Sequence, residues 1–114
     1  MDVDAVERRL LVVEDDPGLQ KQLKWVFADY DPTIVADRAA AIDAVRRVRP
    51  AVVTLDLGLP PDPANASEGL AALEEILALD PRAKIIVVTG NDDRAPALRA
   101  VALGAYDYYQ KPID

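Results

Sequence analysis

A chain of 114 residues with 51% hydrophobic side chains suits one compact domain with a single core. Twenty acidic residues against thirteen basic ones give a formal charge of −7, a field that repels nucleic-acid phosphates and anionic lipid. Cysteine and histidine are both absent, which excludes disulfides, thiolate nucleophiles, imidazole metal ligands and any phosphohistidine carried by the chain itself.

The first nine residues are acidic where a signal peptide would be basic, and no apolar run approaches the length of a membrane span. A cytoplasmic domain is therefore expected. The run Leu10-Leu11-Val12-Val13 predicts a first strand at 9–14, ending in Glu14-Asp15-Asp16. Asp16-Pro17 then supplies a helix cap with proline at the first helical position, and Leu19, Leu23, Val26, Phe27 and Tyr30 follow at helical spacing. A short strand at 33–36 precedes a helix with Ile42 and Val45 on one side, Arg46, Arg47 and Arg49 filling in, and Pro50 as its stop. The third strand, 51–56, closes on Asp56. Residues 57–67 hold three prolines and no apolar period, which predicts a long, stiff loop. A helix from about Glu68 carries Leu70, Leu73, Ile76 and Leu77 and stops before Pro81. A strand at 84–89 ends in Thr89, a helix shows Leu98, Val101 and Ala102 before Gly104, and a last strand at 105–110 runs into Lys111-Pro112.

Strands alternating with amphipathic helices predict an α/β fold with a parallel sheet. The runs at 10–13, 51–55 and 85–88 are apolar on both faces, as in central strands, whereas 33–35 and 105–109 read as edges. Right-handed crossovers then favour a doubly wound five-stranded sheet of order 2-1-3-4-5, with a crevice at the carboxyl ends of strands 1 and 3.

A carboxylate at the end of a buried strand costs free energy unless it is solvated, paired or used. Singly, the polar strand ends have plain readings: Glu14-Asp15-Asp16 as helix capping, Asp56 as a turn-former, Thr89 as a strand end, Lys111-Pro112 as a solvated terminus and Tyr108 as an edge aromatic. Asp16 is assigned to capping. Their order at successive strand ends carries more, because the parallel topology gathers them at one edge. Three carboxylates without imidazole or thiolate make an oxygen-only site suited to magnesium (Mg2+), with Asp15 and Asp56 as ligands, Glu14 holding a metal-bound water, and a backbone carbonyl near Gly58. An Asp56 oxygen could then attack phosphorus, and Lys111, Thr89 and backbone N–H groups after Asp56 would receive the transferred oxygens.

The motifs Leu11-Val12-Val13-Glu14-Asp15-Asp16, Leu55-Asp56-Leu57-Gly58-Leu59-Pro60, Val88-Thr89-Gly90 and Gly104 through Pro112 resemble those of response-regulator receiver domains of two-component signalling. The resemblance covers essentially the whole chain. It implies Asp56 as phosphoacceptor, Glu14 and Asp15 as the magnesium-holding acidic pair, Thr89 as switch hydroxyl, Lys111 as phosphate-binding lysine and Tyr108 as the aromatic that reorients. It also implies a sensor histidine kinase or histidine phosphotransfer protein as partner, and a surface around helix 4 and strand 5 that pairs with a second copy or releases an output domain. The phrase from Leu55 to Gly69 is similar to receivers of NtrC-like, sigma-54-dependent regulators of the exopolysaccharide-associated type. In that group an ATPase domain and a DNA-binding domain follow, so residues 1–114 are expected to be the receiver part of a longer transcription regulator. Two departures stand out: the loop between Pro60 and Gly69 is about five residues longer than usual, and the family's fifth helix is missing after Lys111-Pro112.

Two other readings use the same aspartate. A magnesium-dependent phosphohydrolase of haloacid-dehalogenase type would need a second carboxylate two positions after Asp56, where this chain has Gly58. A receiver-shaped binding module would keep the fold without using phosphate. Dinucleotide binding lacks its glycine-rich turn after the first strand.

Overall fold

The computed structural model describes residues 9–90 and 94–111; Pro112 of the last turn lies outside them. Five strands, β1 (Leu10–Val13), β2 (Thr33–Val35), β3 (Val52–Asp56), β4 (Lys84–Thr89) and β5 (Asp107–Gln110), alternate with four helices. These are α1 (Pro17–Val26), α2 (Arg38–Val48), α3 (Ser67–Leu79) and α4 (Arg94–Leu103). The sheet is wholly parallel in the order β2-β1-β3-β4-β5, as the apolar patterning requires.

Register decides what meets at the edge. Val13 is level with Leu55, Asp56 with Val88, and Thr89 with Gln110. Asp56 and Thr89 are therefore the last residues of β3 and β4, and Glu14 and Lys111 the first residues past β1 and β5.

Side chains alternate between two apolar layers, with the period of two that strands impose. Leu11, Val13, Val53, Leu55, Ile85 and Val87 pack against α2 and α3 in the main core. Leu10 and Val12 pack against Leu23 of α1, joined by Leu19, Phe27, Ile34 and Val52. β1 is buried on both faces, whereas Thr54 and Ile86, on the α1 side of β3 and β4, are only half-buried.

Three local expectations change. The helix expected to run through Tyr30 ends at Val26 and tightens into a 3-10 turn at Ala28–Tyr30, stopped by Asp31 in the left-handed region. Val26, the last residue of α1, faces outward, Phe27 packs inward, and the tighter turn leaves Tyr30 exposed. In α4 the buried positions are Ala97 and Ala100, and Leu98 and Val101 face outward along with Ala102. The helix seats its smallest side chains against the protein, a choice that hydropathy alone does not reveal. The last strand starts at Asp107 rather than 105, because Ala105 N–H still closes onto Ala100 C=O. Gly104, at φ 121°, is the left-handed residue that this helix ending needs.

The loop between β3 and α3 is not featureless. Leu57 and Leu59 are buried in the main core, and Leu57 C=O accepts from Gly69 N–H at 3.2 Å. A Cβ on Gly69 would fall 2.3 Å from Leu57 Cα, so glycine is what allows α3 to start against this loop. Leu73, fully buried on α3, should cost about 2–5 kcal/mol when cut to alanine. Leu98→Ala, at an exposed position, should cost no more than about 0.5 kcal/mol. Urea unfolding of the two variants measures the contrast.

Candidate functional site

β1 delivers Glu14 to the sheet edge and holds it there: Glu14 N–H bonds Val35 C=O at 2.9 Å, continuing the β1–β2 ladder. Its side chain is buried and its Oε2 accepts from Asp16 N–H at 3.1 Å. Asp15 is half-buried and lines the neighbouring cavity. Asp16 caps α1 by accepting from Gly18 N–H at 2.9 Å, which satisfies one of the free amides at the helix start.

Asp56 ends β3 with 5% of its surface exposed. Its Oδ1 accepts from Gly58 N–H at 3.0 Å and its Oδ2 lies 3.2 Å from Lys111 Nζ. Lys111 Nζ also lies 3.3 Å from Glu14 Oε1, so one ammonium spans two buried carboxylates. The lysine backbone is fixed by its N–H on Thr89 C=O at 2.8 Å. The Thr89 hydroxyl is buried and has no hydrogen-bond partner among the described residues. A buried hydroxyl normally finds a partner, so this one suits an incoming acceptor. Tyr108 is level with Val87, two residues before Thr89 on the same face, and is half-buried against the main core.

The carboxylate oxygens of Glu14, Asp15 and Asp56 lie within 4.8 Å of one another. Three oxygen donors at that spacing, with no nitrogen or sulfur among them, fit a small hard cation. Asp15 and Asp56 open on a cavity of about 300 Å³ that Gly58, Thr89, Gly90 and Lys111 also line. Burial, the shared hydrogen bond with Asp56 and its negative charge push the Glu14 carboxyl up to about 7, against the Asp16 amide and Lys111. Burial disfavours the Lys111 ammonium, but Asp56 and Glu14 outweigh it and hold its pKa above that of an ordinary lysine.

The family model of the response regulator receiver domain matches residues 10–114. The chain is a response-regulator receiver domain. It is 33% identical over 108 residues to the chemotaxis protein CheY of Listeria monocytogenes, covering 92% of this chain and 87% of that one. Among solved structures it resembles NtrX from Brucella abortus, with a TM-score of 0.82 at 27% identity over 93% of this chain. The match spans only 23% of the NtrX chain. It also resembles the receiver domain of the sensor histidine kinase PA1611 from Pseudomonas aeruginosa, solved with a magnesium ion in its active-site cleft. That match has a TM-score of 0.77 at 29% identity and covers 93% of this chain and 86% of the other.

The receiver edge thus brings together Glu14, Asp15, Asp56, Gly58, Thr89 and Lys111, with Tyr108 one step behind Thr89. Sequence reasoning did not place Pro63, Ala64, Asn65 and Ala66 in the cavity wall, which they form. The signal available was the length of the loop that carries them.

The raised Glu14 pKa makes stability depend on pH. Its carboxyl binds a proton more tightly folded than unfolded, so the folded state is favoured below about pH 4.5 and loses that advantage as pH climbs to about 7. Without divalent cations, the wild-type domain should lose about 2–3 kcal/mol between pH 5 and 8 from this group. Glu14→Gln should flatten that slope and be the more stable protein at pH 8, read from urea midpoints in chelator.

Proposed function

We propose that this receiver accepts a phosphoryl group on Asp56 from a sensor histidine kinase or a histidine phosphotransfer protein, whose imidazole supplies what the chain lacks. The observation that carries this reading is a buried carboxylate at a strand end, within ion-pair reach of Lys111 and beside two further carboxylates on an open cavity. One Asp56 oxygen bonds to phosphorus as the phosphorus–nitrogen bond of the donor breaks, and the imidazole leaves with a proton. Mg2+ held by Glu14, Asp15, Asp56 and the Gly58 carbonyl would neutralise charge on the donor and acceptor oxygens. The magnesium-bound PA1611 receiver supports this assignment.

Phosphorylation adds roughly −1.5 to −2 of charge at Asp56. Lys111 stays paired with it, and the unpartnered Thr89 hydroxyl turns to donate to a phosphoryl oxygen. Tyr108, on the same face one step back, moves into the volume Thr89 leaves and carries the change to the surface around α4 and β5. Leu98, Val101, Tyr106 and Tyr109 are exposed there, which suits pairing with a second copy. We assign the chain as the receiver part of a longer cytoplasmic regulator, with ATPase and DNA-binding output domains after it, on the strength of the NtrC-like phrase and the NtrX likeness. It is an acceptor and not a turnover enzyme: the position two residues past Asp56 is Gly58, so no acid/base stands where a haloacid-dehalogenase-type hydrolase has one.

With acetyl phosphate and Mg2+, intact mass should show one added phosphoryl group, located at Asp56 by peptide mapping. Chelator or Asp56→Asn should abolish it, and an unchanged adduct in Asp56→Asn refutes the assignment. Lys111→Met should slow adduct formation by at least about tenfold, the weight of one charge-assisted contact. Thr89→Ala should still form the adduct but lose any phosphorylation-dependent dimerisation in sedimentation. Absence of an adduct in the wild type would favour a phosphate-independent binding module.

A further inference from the structure

The loop that follows Asp56 is built into the acceptor cavity. A Cβ on Gly58 would fall 2.6 Å from the Pro63 carbonyl oxygen and 3.8 Å from Asp56 Oδ1. The loop backbone therefore takes the space that a side chain at position 58 would need, beside the reacting carboxylate. Pro63, Ala64, Asn65 and Ala66 form part of the wall of the same cavity that Asp15, Asp56 and Lys111 line.

Asp62 holds this wall in place. Its N–H donates to Leu59 C=O at 3.1 Å and its C=O accepts from Asn65 N–H at 3.1 Å, two successive turns. Both carboxylate oxygens accept from Asn65 Nδ2 at 3.0 Å, and Oδ2 meets the Ser67 hydroxyl at 3.5 Å. Ala66 at the start of α3 offers no capping side chain, so Asp62, through the Ser67 hydroxyl, adds a side-chain tie to the backbone bond from Gly69 to Leu57.

We propose that the loop, fastened by Asp62, is a water-excluding wall that lengthens the life of the phosphoryl group on Asp56. The inference rests on the reading of Asp56 as phosphoacceptor. Hydrolysis requires a water oxygen to bond to phosphorus while the bond to Asp56 breaks, returning the carboxylate and releasing inorganic phosphate with the proton. Proline and alanine contribute bulk to the wall, the Asn65 amide nitrogen is committed to Asp62, and an amide oxygen is too weak a base to take the proton of that water. The wall consequently hinders the attack without assisting it. Asp62 acts through the loop, as a positioning residue.

The test loads the wild type, Asp62→Ala and Asp62→Asn with acetyl phosphate and Mg2+, removes the donor, and follows decay of the adduct by intact mass. Hydrogen exchange at the Gly58 and Asn65 amides is read in parallel. Asp62→Ala should exchange faster at both amides and shorten the phosphoryl half-life on the order of tenfold. Asp62→Asn, which keeps an oxygen for Asn65, should restore a half-life within about twofold of the wild type. Faster exchange with an unchanged half-life overturns the inference, as does unchanged exchange or an Asn variant that decays like the Ala variant. A wild type that never forms the adduct overturns the reading of Asp56 itself, and the inference with it.

Discussion

One ammonium between two buried carboxylates sets the terms for this molecule. Glu14 and Asp56 come from different strands, and without a cation their charges at the sheet edge would oppose folding. Lys111 reaches back from beyond β5 to both of them, so the residue just past the last strand closes an arrangement begun at β1. The parallel register makes that closure possible, because β1, β3, β4 and β5 end within two residues of one another along the sheet edge. The rest of the sheet is a frame whose spacing suits this contact.

The same arrangement leaves charge unbalanced. Two carboxylates share one lysine while Asp15 stands half-buried alongside, and the proton that Glu14 tends to keep is the sign of it. A protein selected only for stability would replace such a cluster with apolar side chains. On the proposed function, the cluster and the buried hydroxyl beside it, which has no partner among the described residues, are there for use: the edge would be completed by what arrives there. In that reading a cation would bring the missing positive charge and a phosphoryl group the missing acceptor oxygens.

Much of this was legible in the residues. Both-face apolarity of Leu10 to Val13 and of Ile85 to Val88 set the central strands, and the sheet order followed from crossover handedness. Asp16-Pro17 marked the first helix start, and the strand-end residues defined the site once they were taken as neighbours. The parts that resisted reading depend on tertiary choice. Val26 fits the helical stripe yet faces outward at the end of α1, and Tyr30 leaves the stripe where the 3-10 turn tightens the chain. Leu98 and Val101 look like an inward face until Ala97 and Ala100 take the contact. The long loop carries too many prolines to show a period, yet buries Leu57 and Leu59 and folds around Asp62, whose partners lie three and five residues on.

The alanine seat of α4 bears on how a signal would travel. This helix rests on β4 and leans on α3, but its buried side chains are the methyls of Ala97 and Ala100, without a leucine wedged into a matching hole. Interdigitated side chains resist sliding because each must climb out of its own recess. A row of methyls presents a nearly smooth bearing. A shift of α4 along this seat would have no interlocked leucine to unseat, so on the proposed function a modest rearrangement at the end of β4 would suffice to reposition it.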